Sequence, residues 1–169
     1  MAYLVTVEKL EGKLPNVAWK RDAETEILSG QFRPSKKAEK GLTGSVELTG
    51  AEGSYVMLDV AGGAVRGLEV VVWPDTTIVD GLTAPAAASQ GRLLMPARAS
   101  QPGIAAVEVD AHVSVEKRAN ESVIHLRVGP RRKVNTVEIA NGLIVEIDGD
   151  GNIAGLWLQN VPPFPKPDA

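Results

Sequence analysis

The chain contains no cysteine among its 169 residues, which removes disulfides, thiolate zinc sites, iron–sulfur clusters and cysteine nucleophiles together. Aromatic residues make up only 4%, too few to interleave with basic residues as a stacking platform for single-stranded nucleic acid. Long apolar runs are scarce as well. A stretch such as Val70–Trp73 spans four residues, against the ~20 that a membrane-crossing helix requires. The opening Met1–Lys9 has no basic start followed by an apolar stretch, so no secretion signal is expected. A net charge of −3 gives no global attraction to polyanions. What is present, 44% hydrophobic and 23% charged residues, suits a globular protein with a buried core, expected in the cytoplasm.

Period-two alternation of apolar and polar residues dominates, and helical periodicity is scarce. Val113–Arg118 and Val123–Val128 flank Ala119–Ser122, and a hairpin closing there sets Glu116 opposite His125. One face then carries Val113, Val115, Ile124, Leu126 and Val128; the other carries His112, Ser114, Glu116, His125 and Arg127. A second hairpin joins Leu143–Asp148 to Asn152–Leu158 through Gly149-Asp150-Gly151. Simple alternation puts Leu143, Val145, Ile147, Ile153 and Trp157 on one side, and Ile144, Leu156 and Leu158 on the other. Apolar residues on both sides predict strands covered twice.

The halves echo each other. Ala51–Asp59 and Ala140–Asp148 share alanine, glycine, valine and aspartate at matching places, and Leu58 answers Ile147. Gly63–Leu68 follows in one half and Gly151–Leu156 in the other, Pro74 and Pro162 keep the spacing, and Val46-Glu47-Leu48 answers Val137-Glu138-Ile139. Val17–Pro34 aligns without a gap on Val113–Pro130. The expected fold is therefore mainly β: two similar antiparallel β-rich repeats related by a pseudo-two-fold, with little helix. The expected boundaries are a first repeat at 1–85, a linker at 86–91, a second repeat at 92–162 and a Pro-rich tail at 163–169. Ser35–Lys40 is the one candidate helix. Each repeat is expected to cover the other, or the same surface to form a homodimer or meet a protein partner.

The second half resembles small prokaryotic proteins grouped as domain of unknown function 2283. The resemblance rests on Val137-Glu138-Ile139, Gly142–Asp148 and Gly151–Leu158, and it is clear over Val113–Val161 and faint over Val17–Pro74. Where that family has aspartates in its first hairpin, this chain has Glu116 and Asn120. The resemblance implies a β-rich fold and, at most, a partner-binding role. It carries over no catalytic residue.

Few residues point to chemistry. Asp148-Gly149-Asp150-Gly151-Asn152 opens like a calcium loop, but Ile153 and Gln159 stand where glycine and a bidentate glutamate are required; a hairpin turn is the better reading. His112, His125 and Glu116 share the polar face of the first hairpin, a weak candidate set for a metal or for proton transfer. Lys36 and Lys37 in one half answer Arg131, Arg132 and Lys133 in the other, paired basic loops that suit phosphates or an acidic partner. No Gly-x-Ser-x-Gly elbow and no phosphate loop opening a helix is present. The expectation is a non-enzymatic scaffold or partner-binding protein without cofactor or membrane association. The alternatives are a small metal protein or enzyme using His112 and His125, or nucleic-acid binding through the basic loops.

Overall fold

The computed structural model describes residues 5–9, 12–33, 43–95, 104–110 and 112–163. Lys36, Lys37, the candidate helix at 35–40 and the end of the proline-rich tail lie outside the described residues. Among those described, the protein is mainly β and contains no helix. One fourteen-stranded hydrogen-bonded sheet runs through the molecule.

Two stretches of this sheet pair in the same order. In the first half, β2 (Ala18–Arg21) pairs with β3 (Leu28–Gln31), β3 with β6 (Ala64–Val72), β6 with β5 (Tyr55–Ala61) and β5 with β4 (Thr43–Thr49), all antiparallel. In the second half, β10 (Val113–Lys117) pairs with β11 (Val123–Val128), β11 with β14 (Ile153–Gln159), β14 with β13 (Leu143–Asp148) and β13 with β12 (Val134–Ala140), again antiparallel. The registers correspond. A core-facing rung runs Trp19–Gly30–Leu68–Leu58–Val46 in one half and Val115–Leu126–Leu156–Val145–Val137 in the other. Leu58 therefore occupies the rung position of Val145, two places from the Val56 that sequence alignment suggests. The loop before β5 and the turn after it differ in length between the halves, which hides the slip.

Both halves also carry a bulge at the same rung. Arg66 is the extra residue opposite Asp59 and Val60, and Ala154 the extra residue opposite Glu146 and Ile147. A bulge moves every later side chain to the other face of the sheet. Trp157 consequently shares its face with Ile144, and Leu156 and Leu158 share theirs with Val145 and Leu143. Simple alternation across the turn assigns these three residues of β14 to the wrong sides.

The turns follow from local chemistry. Gly62 and Gly63 close β5 onto β6 with φ of 56° and 85°, the left-handed pair that a two-residue hairpin matching strand twist demands. Between β13 and β14 the Asp148 carboxylate accepts the N–H groups of Asp150 and Asn152 at 2.9 and 3.0 Å. That internal use of the aspartate makes the segment a hairpin turn.

The remaining strands stitch the halves together. β1 (Thr6–Lys9) pairs with β8 (Ser89–Leu94), which lies parallel to β12 and touches β6 at Ala64. β9 (Ile104–Asp110) runs parallel to β4, and β7 (Thr76–Ile78) parallel to β10. The main apolar core among the described residues draws on both halves, with Leu28, Val46, Leu58 and Leu68 from one and Ile124, Leu126, Val145 and Leu156 from the other. Polar ties cross between the halves too: the Trp19 indole donates to the Gln159 carbonyl at 3.0 Å, and buried Arg21 to Glu121 at 2.7 Å.

Candidate functional site

The outward side of the second half holds the best-developed cluster of polar side chains. The β10–β11 hairpin has the register that its alternation requires, with Glu116 opposite His125 and Ser114 opposite Arg127. Pairing extends these rows. His125 faces Trp157 on β14 and Arg127 faces Gly155, while Gly155 also faces Glu146 on β13. The imidazole and indole rings stack with centroids 4.1 Å apart and planes 19° from parallel, a pairing that contributes about 0.5–1.5 kcal/mol beyond buried area.

His125 and Glu146 sit on strands that are not neighbours. They meet across β14, where Gly155 leaves the space: His125 Nε2 lies 2.5 Å from Glu146 Oε1, and a Cβ on residue 155 would fall 2.2 Å from that same oxygen. Imidazole supplies the N–H and the carboxylate accepts. Both side chains are largely shielded, 11% and 14% exposed. Gly67 and Asp59 occupy the corresponding places in the first half, but Ser29 and Glu69 stand where the stacked rings are.

A strap from Val79 to Ala88 covers part of this face. Leu82, Ala84 and Ala87 pack on Val123, Ile144 and Trp157. The strap is pinned by Arg118, which donates to the Leu82 carbonyl and the Thr83 hydroxyl at 2.5 and 3.2 Å, and by Ala88 N–H donating to the Thr136 hydroxyl at 2.9 Å. The stretch expected as a linker is thus held against the sheet, and Ser89–Gly91 already belong to β8.

Beside the strap opens a cleft of about 380 Å³, lined by Leu82, Val134, Trp157, Glu116, His125, Glu146 and the arginines 127, 131 and 132. The arginines differ in availability. Arg132 is a brace: it donates to Asp148 at 2.8 Å and to the carbonyls of Val128 and Pro130 at 2.9 and 2.7 Å. Burial of Asp148 opposes its charge, yet the Asn152 N–H, the Arg132 guanidinium and the Asp150 N–H together hold its carboxyl below the usual value. Arg131 is 78% exposed, its nearest carboxylate oxygen being that of Glu116 at 3.5 Å. Arg127 approaches the same oxygen only to 3.8 Å. Two buried donors on residues that line the cleft, Arg127 Nε and Trp157 Nε1, have no hydrogen-bond partner among the described residues.

The histidines that share a face in sequence are separated in space. His112 is exposed at the start of the hairpin, four residues before Glu116, roughly 13 Å along an extended chain. It neighbours Thr49, Glu52 and Asp110 around a shallow cleft of about 450 Å³. His112, His125 and Glu116 therefore form no common site, and among the described residues no group of three or more metal-ligating side chains gathers. Lys133 is exposed beside Arg131. Trp157 and Glu146 were not among the residues that sequence reasoning singled out for the site. The one sequence signal near them is Gly155 within the apolar run of β14; the bulge at Ala154 that turns Trp157 to this face is set by pairing. No helix among the described residues is long and apolar enough to cross a membrane. No protein-family model matches the chain, and no curated protein matches it.

Proposed function

We propose that the protein is a non-enzymatic binding scaffold made of two copies of one five-strand unit, related by a pseudo-two-fold and sheltering each other's apolar faces. The observation that carries this reading is the correspondence of rungs: strand order, core-facing partners and the bulges at Arg66 and Ala154 all recur. Each half also lends an extended segment to the other, β9 lying along β4 and Asn16 bridging Asn141 in parallel. Such an exchange makes the pair one folding unit and leaves the outward faces free to diverge. The polar side chains on the second outward face are engaged in pairs such as His125–Glu146 and Arg132–Asp148. That arrangement suits recognition better than proton transfer or metal binding.

The test is to produce residues 1–74 and 75–169 separately and together. Each fragment alone exposes half of a shared core and is expected to aggregate or self-associate, whereas co-expression restores a one-to-one complex. Two monomeric, well-folded fragments would overturn mutual shelter. The non-enzymatic part fails if purified protein carries about one transition-metal ion per chain that His125→Ala removes.

A further inference from the structure

We propose that the cleft beside the strap binds a small amphipathic carboxylate, its charged end on Arg127 and Arg131 and its apolar body against Leu82, Val134 and Trp157. The inference deepens the scaffold reading and rests on it, because it assigns the ligand class of one outward face. A buried N–H without an acceptor carries its full desolvation cost, and here two of them, Arg127 Nε and Trp157 Nε1, belong to the walls of one cleft. Trp157 is only 8% exposed. A ligand carboxylate set on Arg127 brings an acceptor to that wall of the cleft.

Geometry selects among acceptors. Arg132 is held by Asp148, and Glu146 is taken up by its hydrogen bond with His125. Arg127 and Arg131 share the Glu116 carboxylate at distances of 3.8 and 3.5 Å, so neither guanidinium is closed by a tight pair. Their planar forks match a carboxylate in two-point contact. The volume of about 380 Å³ is at the small end of ligand pockets, and such pockets combine apolar walls with a few polar anchors. The corresponding position of the first half is hollow as well, about 560 Å³ beside Ala18, Gln31 and Asp59. There Gln31 replaces Arg127, while Arg33 and Arg66 line the hollow instead, Arg66 being held by Asp59 at 3.0 Å.

The experiment uses the full chain and follows the indole N–H resonances of its tryptophans by NMR, that of Trp157 being identified by its loss in Trp157→Phe. Benzoate is titrated at constant ionic strength, with benzamide, inorganic phosphate and chloride as comparisons. Benzoate is expected to shift the Trp157 resonance saturably, and benzamide, phosphate and chloride are expected to do so weakly or not at all. Arg127→Gln and the exposed Arg131→Ala should each weaken benzoate binding on the order of tenfold. Arg131→Ala keeps the test valid if Arg127→Gln fails to fold. Absence of saturable binding overturns the proposal, as does equal binding of benzamide, tighter binding of phosphate, or indifference to Arg131→Ala. None of these results touches the fragment experiment, so the scaffold reading stands or falls separately.

Discussion

Replacing Gly155 by alanine adds one methyl group where two strands' side chains meet over a third. The new Cβ would lie 2.2 Å from Glu146 Oε1, 2.9 Å from the Leu126 carbonyl oxygen and 3.1 Å from His125 Nε2. The carboxylate can swing away, but the Leu126 oxygen is backbone in the middle of the sheet and yields only if β11 and β14 part. Gly155 is not among the positive-φ glycines, so the cost is packing and lost pairing rather than backbone strain. Overpacking alone costs about 1–3 kcal/mol. Displacing Glu146 from a shielded His125 adds on the order of 1–3 kcal/mol for the lost hydrogen bond. The sum, about 2–6 kcal/mol, corresponds to a fall in Tm of roughly 4–24 °C for a chain of this size. Urea and thermal unfolding of Gly155→Ala measure it directly. Repeating the substitution in a Glu146→Ala background should shrink the added cost, because the worst clash and the broken pair are already gone. A Gly155→Ala protein within about 0.5 kcal/mol of the parent would refute the claim that this glycine exists to let the pair cross β14.

Asp148 makes a prediction about acid stability. Its folded-state carboxyl lies below the ordinary value of 3.8, so its contribution is fully present above that value and is lost as pH falls through the lower folded value. The stability gap between the parent and Asp148→Asn should therefore be widest near neutrality and close at the acid end of a pH series of urea midpoints. Gly30→Ala is expected to destabilise by about 1–3 kcal/mol, since its Cβ would fall 2.3 Å from the Trp19 ring whose N–H bonds Gln159 across the halves. Trp19→Phe, which removes that bond together with part of the indole's packing on the core, should cost about 1–3 kcal/mol by the same unfolding assay. His112→Ala should stay within about 0.5 kcal/mol of the parent and leave metal content unchanged, because that histidine is exposed and remote from His125.

Alternation along Val113–Lys117 and Val123–Val128 was enough to place Glu116 against His125, because a tight four-residue connection leaves few registers that keep Val115 and Leu126 dry. The aspartate and glycines of 148–151 likewise announced a turn, since their hydrogen bonds are local. Long-range partners were less legible. The parallel pairings of β7 with β10 and β9 with β4 depend on contacts between distant segments, whose short or unremarkable sequences carry no address. Residues 86–91 have a linker's composition because Ala87 and its small neighbours form no stripe of their own; the burial of Leu82, Ala84 and Ala87 in the strap is decided by Trp157 beneath them.

By itself, then, the amino-acid sequence determined that the chain is β-rich, that its halves echo each other and where its tight turns fall, because alternation and turn chemistry act over a few residues. Only the tertiary structure decided which side Trp157 takes, and with it whether a cleft exists at all. The bulge at Ala154 reverses the side chains that follow it, Gly155 clears the ground between His125 and Glu146, and Arg127, two residues along β11 from His125, faces that same glycine. One unpaired residue has no signature in a hydrophobic pattern, because its effect is felt only where three strands must fit together.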